Sequence, residues 1–279
     1  MIETMSKKSD TKGAHEIRHR NSIAEWSVTV LLLLFGTSSI AQPFVIPTSS
    51  MEDGLLIGDH LIVDKLAYAP AGSLSKYLLP YQEPKHGDVI VFRYPPDITQ
   101  TYVKRLIGLP GDRIKMVNRV VFRNGVQLNE PYTFQKFPYD AERDNFPSSL
   151  HMNVRGALAL QCQREMLERN VMNGEVVVPP GHFFAMGDNR DNSEDSRYWG
   201  FVPRENLIGK PVLVYWSYKA PTEDLLGNTA DSMINHFVDL GEHFFTRTRW
   251  SRTFKLVRGF PDEKLQDHPL QPNPGLSDP

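Results

Sequence analysis

Two adjacent hydroxyls, Ser49 and Ser50, sit in the stretch Phe44-Val-Ile-Pro-Thr-Ser-Ser-Met51. Taken alone, a serine here reads as a turn or a cap. A serine nucleophile also needs a partner, because its hydroxyl attacks poorly at neutral pH unless a base takes the proton. Histidine is the usual base, but none of the nine histidines lies in a compact motif with an acid, and His15 and His19 fall in a polar N-terminal tail. No His-x-x-x-His or Glu-flanked pair suggests a metal site. Cys162 is the only cysteine, so no intrachain disulfide or Cys-rich metal centre is available. A Ser/Lys arrangement is the remaining chemistry. Its lysine must be neutral to accept a proton, which requires burial to bring the pKa from ~10.4 to roughly 7–8. Arginine stays charged and cannot take that part.

One lysine has a suitable setting. In Thr101-Tyr-Val-Lys-Arg-Leu-Ile-Gly-Leu-Pro-Gly-Asp112, strand alternation puts Tyr102, Lys104 and Leu106 on one face and Val103, Arg105 and Ile107 on the other. An amine between a tyrosine and a leucine on a core-facing surface is desolvated. The plain alternative is a lysine that snorkels at a sheet edge. A third stretch, Met186-Gly-Asp-Asn-Arg-Asp-Asn-Ser-Glu-Asp-Ser-Arg-Tyr-Trp-Gly200, is too rich in paired charges and amides for a plain turn. It is expected to be a loop held by internal hydrogen bonds and carboxylate–guanidinium pairs.

The elements that must position these residues follow from texture. Residues 1–25 are polar and include Lys7, Lys8, Lys12, Arg18 and Arg20, whereas Trp26 to Met51 carries no charge. A transmembrane anchor is read over 26–43, continuing toward Ile46 unless Pro43 ends it. The rival reading is a cleavable leader, since Ser39-Ile-Ala41 resembles a small-x-small cleavage site. The basic residues before the run place the N-terminus in the cytoplasm and the rest outside. From Asp59 the texture is β, with short β-branched and aromatic runs at 60–66, 88–94, 101–107, 113–117, 120–122, 126–128, 175–178, 182–185 and 212–216, and a hairpin signal at Asn124-Gly125. This predicts a mainly β, coiled antiparallel, barrel-like catalytic domain over 44–218. An inserted loop and helix interrupt it at about 134–173, with the helix over 155–171. Residues 219–279 form an extension, helical over 222–245 and then disordered. A net charge of −2 in 279 residues gives no bulk argument for nucleic acid.

Together these stretches resemble the type I signal peptidases of bacteria, membrane-anchored Ser/Lys proteases. The motifs are Ile46-Pro-Thr-Ser-Ser-Met51, Gly58-Asp59, Gly87-Asp-Val-Ile-Val-Phe92, Tyr102-Val-Lys-Arg105 with Gly108-Leu-Pro-Gly-Asp112, and Gly187-Asp-Asn-Arg-Asp-Asn-Ser193 with Asp195-Ser-Arg197. The resemblance implies Ser50 as nucleophile and Lys104 as general base, with Thr48 and the Ser50 N–H as the oxyanion hole. It implies that Ser193 orients the lysine, that Asp195 and Arg197 form a supporting ion pair, and that Phe44, Ile46, Met51, Leu55, Tyr102 and Val103 line the substrate pockets. It further implies cleavage of signal peptides after Ala-x-Ala sites at the bacterial inner membrane. The catalytic domain would be extracytoplasmic, with no cofactor, metal or nucleic acid. Two other readings stay open: an inactive membrane-anchored binding protein, and a self-cleaving Ser/Lys repressor-type relative. The chain departs from the family pattern at Ser49, where a small residue, often Gly, is usual, and at Glu52-Asp53-Gly54. Within the extension, the piece from about Thr222 to Phe245 interrupts the usual C-terminal end, and Arg249-Trp-Ser-Arg252 is where the family pattern is expected to resume.

Overall fold

The apolar run forms a helix, as its composition requires. The computed structural model describes residues 22–68, 81–135, 144–147, 154–226 and 230–260. Most of the basic tail, most of the loop before the inserted helix and the end of the C-terminal extension lie outside these residues. Helix α1 (Ser22–Phe35) buries none of its residues against the rest of the protein. It continues through a widened π-type turn, Gly36–Ile40. The combined 19 residues extend about 28 Å, close to the ~30 Å of a bilayer core. Ser27, Thr29 and Thr37 donate their hydroxyls to carbonyls four residues back, so these polar groups do not stand bare on an apolar helix.

The helix bounds differ from those expected. Length is gained at the N-terminal side, from Ser22, and not toward Ile46. The chain leaves the helix after Ile40 and enters strand β1 (Ala41–Val45). Pro43 accounts for this: it lacks an N–H and cannot extend a helix, but it is tolerated on an outer strand. Among the described residues β1 pairs on one side only, with β2 (Asp59–Asp64).

β2 alternates as a half-buried strand should, with Asp59, Leu61 and Val63 inward. β3 (Val89–Tyr94) is buried almost throughout and packs a different core on each face. Ile90, Phe92 and Tyr94 join Leu106, Trp199 and Val202, whereas Val89 and Val91 join Ile46, Met51, Leu55 and Leu61. The long β4 (Asp97–Gly108) runs antiparallel to β3. With β10 (His182–Met186), β11 (Val202–Pro203), β12 (Leu207–Ser217) and β13 (Lys255–Leu256), these strands make an eight-stranded antiparallel sheet in the order β1-β2-β12-β3-β4-β10-β11, with β13 paired to β12. β1 and β11 lie at opposite ends of that order, so the sheet stays open. The barrel-like expectation is corrected in that respect.

A second, five-stranded sheet has the order β7-β6-β5-β9-β8, from β5 (Arg113–Val117), β6 (Val120–Arg123), β7 (Val126–Gln127), β8 (Val171–Met172) and β9 (Glu175–Val177). Asn124 and Gly125 both take positive φ between β6 and β7, which is what a tight two-residue hairpin turn needs. The inserted helix is α2 (Ala157–Asn170), which buries Ala159, Gln163 and Met166 at helical spacing. It ends one residue before the expected limit. Val171 instead opens the β8–β9 hairpin, whose turn Asn173-Gly174 again has positive φ at both positions. One short helical turn, α3 (Ser196–Trp199), precedes β11. Beyond β12 the expected helical stretch resolves into α4 (Thr222–Leu226) and α5 (Ala230–Arg247).

Candidate active site

Ser50 lies in a single 3-10 turn, Ser49–Met51, between β1 and β2. Lys104 reaches it from the middle of β4. The Lys104 Nζ is 2.6 Å from the Ser50 Oγ, although 54 residues separate them in the chain. Lys104 is 4 % exposed. Burial pushes its pKa down to about 8, against the opposing pull of Asp195, Asp188 and Glu194. The Tyr102 ring lies 5.4 Å from the amine. The lysine is thus buried, with Tyr102 of the expected face beside its amine. Thr48 Oγ1 is 3.4 Å from Ser50 Oγ on the side open to solvent.

The charged loop after β10 supplies the frame. Asp195 and Arg197 are fully buried and paired at 2.9 Å through both Nε and Nη2. Burial raises the Asp195 pKa, but the Arg197 charge and hydrogen bonds outweigh it and hold the carboxyl below its usual value. Asp195 also accepts from the Gly187 N–H at 3.1 Å, which ties the loop's end to its start. The loop's other guanidinium pairs leave it, contrary to the expectation of internal pairing; among them, Asp191 stands 3.7 Å from Arg119 and Glu194 3.5 Å from Arg155. Asp188 takes Arg105 of β4 through Nε at 2.7 Å and Nη2 at 2.6 Å. Arg190 takes Glu130 at 2.9 and 2.5 Å. Arg105 therefore points to the opposite face of β4 from Lys104 and pins that strand to the loop.

Ser193 is buried beside this frame, but its hydroxyl has no hydrogen-bond partner among the described residues. The hydrogen bond to Lys104 expected of it is absent. Its location is nonetheless close: a Cβ on Gly187 would stand 2.2 Å from Ser193 Oγ and 2.5 Å from the Ser50 carbonyl oxygen.

A cavity of about 610 Å³ opens over the pair. Phe44, Ile46, Met51, Tyr102 and Val103 line it together with Thr48, Ser50 and Lys104. Leu55 does not. It is buried with Met51 and Ile46 and borders a second cavity behind Met51. Of the expected lining set, five residues meet at the groove and one supports it from behind. Sequence reasoning missed the polar rim, Gln100, Arg155, Asn192, Glu194 and Thr222. Asn192 lay inside a recognised motif; Arg155 and Thr222 gave no local signal. Among the described residues, no group of three or more His, Cys, Asp or Glu is arranged to hold a metal ion.

A buried amine against a serine hydroxyl, carried on antiparallel sheets beside a groove, places the chain among the serine endopeptidases. The family model described as "Signal peptidase, peptidase S26" matches residues 20–216, and the chain belongs to that family. It is 36% identical over 213 residues to signal peptidase I of Pseudomonas fluorescens, covering 71% of this chain and 73% of the relative. Signal peptidase I of Aquifex aeolicus is 34% identical over 232 residues, with 73% and 86% covered. That of Pseudomonas aeruginosa is 32% identical over 211 residues, with 71% and 73% covered.

Proposed function

We propose that the protein is a signal peptidase I that removes signal peptides from translocated preproteins with Ser50 as nucleophile and Lys104 as general base. The observation that carries this reading is the 2.6 Å approach of a buried amine to the Ser50 hydroxyl. The neutral amine accepts the hydroxyl proton as Oγ bonds to the scissile carbonyl carbon. The resulting oxyanion is received by the Thr48 hydroxyl and the Ser50 N–H, donors worth roughly 2.7–4 kcal/mol each in such sites. The Lys104 ammonium then protonates the leaving amine as the C–N bond breaks. Water attacks the acyl-enzyme, Lys104 takes its proton, and the Ser50 hydroxyl is restored when the ester breaks.

Asp195 and Arg197 hold the loop that backs the lysine, and the family resemblance gives Ser193 the part of steadying the amine during turnover, a part that requires its hydroxyl to turn toward Lys104. The apolar walls from Phe44, Ile46, Met51, Tyr102 and Val103 take small side chains and exclude larger ones, which supports an Ala-x-Ala preference. α1 serves as a single membrane span, with the N-terminus cytoplasmic and the catalytic sheets on the outer face of a bacterial inner membrane, where translocated chains emerge. The basic tail before the helix supports that orientation.

The test is cleavage of a preprotein bearing an Ala-x-Ala site by the membrane-reconstituted protein. Ser50→Ala and Lys104→Ala should each abolish it. Cleavage surviving in Ser50→Ala overturns the assignment. Because the base form of Lys104 is required, kcat/KM should rise with pH to a plateau above about 8. Roughly a tenth of the enzyme is competent at pH 7, and a profile flat between pH 6 and 9 excludes a lysine base.

A further inference from the structure

The turn that carries Ser50 is too short to hold its own shape. A single 3-10 turn has poor hydrogen-bond geometry and repays little of the entropy of ordering it. Within it, Glu52 N–H donates to the Ser49 carbonyl at 3.0 Å. On its far side the Gly54 and Leu55 N–H groups donate to the Met51 carbonyl at 3.1 and 2.8 Å, and on its near side the segment Asn189–Asn192 lies along it. The Asn189 N–H donates to the Ser50 carbonyl at 3.2 Å. The Asn189 amide donates to the Ser49 carbonyl at 3.2 Å and to the Glu52 carboxylate at 3.3 Å. The Asn192 amide donates to the Ser49 hydroxyl at 2.7 Å, and the Asn192 N–H donates to the Asn189 side-chain oxygen at 3.1 Å. That segment is itself rigid, because the pairs Arg105–Asp188, Arg190–Glu130 and Asp195–Arg197 fix it within and on either side.

The bond from Asn192 to Ser49 exists only because position 49 bears a hydroxyl. It has two effects. It adds a side-chain tie between the rigid loop and the nucleophile turn, next to Ser50. It also engages the Ser49 oxygen with an amide, leaving the Lys104 amine to Ser50. We infer that Ser49 and Asn192 are a positioning pair that keeps the Ser50 hydroxyl in register with Lys104, and that Ser49 is not a second nucleophile. This rests on the reading of Ser50 as nucleophile.

The pair is tested with full-length protein in phospholipid vesicles, a preprotein with an Ala-x-Ala site, and the variants Ser49→Ala, Asn192→Ala, Asn192→Leu and Ser49→Ala/Asn192→Ala. Asn192→Leu keeps the side-chain shape but can neither donate to nor accept from the Ser49 hydroxyl. Each single change should lower kcat about two- to fivefold, as loss of one neutral hydrogen bond does. KM should change by less than about twofold, and the midpoint of the pH–rate profile should not move. The double variant should be no slower than the slower single, because both changes remove one bond. Losses that multiply in the double variant overturn the pair, as do effects confined to KM or an unchanged kcat in the singles. Ser50→Ala is run beside them. Cleavage that survives there and is lost only on adding Ser49→Ala overturns both the nucleophile reading and the pair, whereas multiplying losses with an inactive Ser50→Ala overturn the pair alone.

Discussion

Lys104 pays for its position with stability. Burial holds its folded pKa down at about 8, against an ordinary lysine value of 10.5, so the unfolded chain binds the proton more tightly. The resulting destabilisation, about 3 kcal/mol, is fully present below pH 8 and falls away as pH rises to about 10.5. Lys104→Met, which keeps the stem and removes the charge, should therefore inactivate the protein yet raise its unfolding midpoint at pH 7. That gain should shrink in a thermal melt at pH 10. At this scale much of the candidate site was legible in the sequence: Ser50 and Lys104 stood in motifs, and alternation in β4 put Tyr102 on the face of the amine and Arg105 on the other. The partners of Ser49, Asp188 and Arg190 were not. Arg105 and Asp188 are 83 residues apart, and no local pattern says which carboxylate a guanidinium will find.

Elements bring these residues together through close backbone approaches. Gly187 joins β10 to the charged loop, and an added Cβ would lie 2.5 Å from the Ser50 carbonyl oxygen and 2.2 Å from the Ser193 hydroxyl. The backbone oxygen cannot rotate away, so Gly187→Ala should displace the Ser50 turn. Cleavage should fall by more than tenfold, a loss of about 1.4 kcal/mol or more in the barrier, measured as kcat at saturating preprotein. Strand runs and the Asn124-Gly125 hairpin were legible because period-two alternation and left-handed turn residues are local signals. The β8–β9 hairpin was hidden because Val171 and Met172 also continue a helical pattern, and only the Asn173-Gly174 turn separates the readings. The openness of the large sheet was illegible, since closure depends on whether the first and last strands meet.

At the scale of the molecule, the chain beyond the family match returns to brace the site. Arg252 donates to both oxygens of the fully buried Asp59, at 2.5 and 3.2 Å, and to the Gly54 carbonyl at 3.0 Å. Arg249 stands 3.8 Å from the same carboxylate. Removing one partner of a buried pair typically costs about 3–5 kcal/mol. Arg252→Ala should fall near the lower end, because Arg249 and the Ser217 hydroxyl remain on Asp59. A thermal melt should show the loss, and kcat should fall with it as the turn that ends at Gly54 loosens. The charges of Arg249-Trp-Ser-Arg252 stood in the sequence, but nothing local named Asp59 as their target.

The helix passes into the edge strand of the catalytic sheet without a linker. The Lys65 N–H and ammonium bond the Ile40 and Ser38 carbonyls, at 2.9 and 2.5 Å, across the junction. A tethered enzyme on a flexible stalk samples a volume; one spliced to its span samples a plane. Only the ten residues from Ala41 to Ser50 carry the chain from the end of the helix to the nucleophile, at most about 36 Å even if fully extended. In the proposed anchored state the protein therefore works at one fixed height, and a cleavage site is selected by its elevation above the lipid as well as by its side chains.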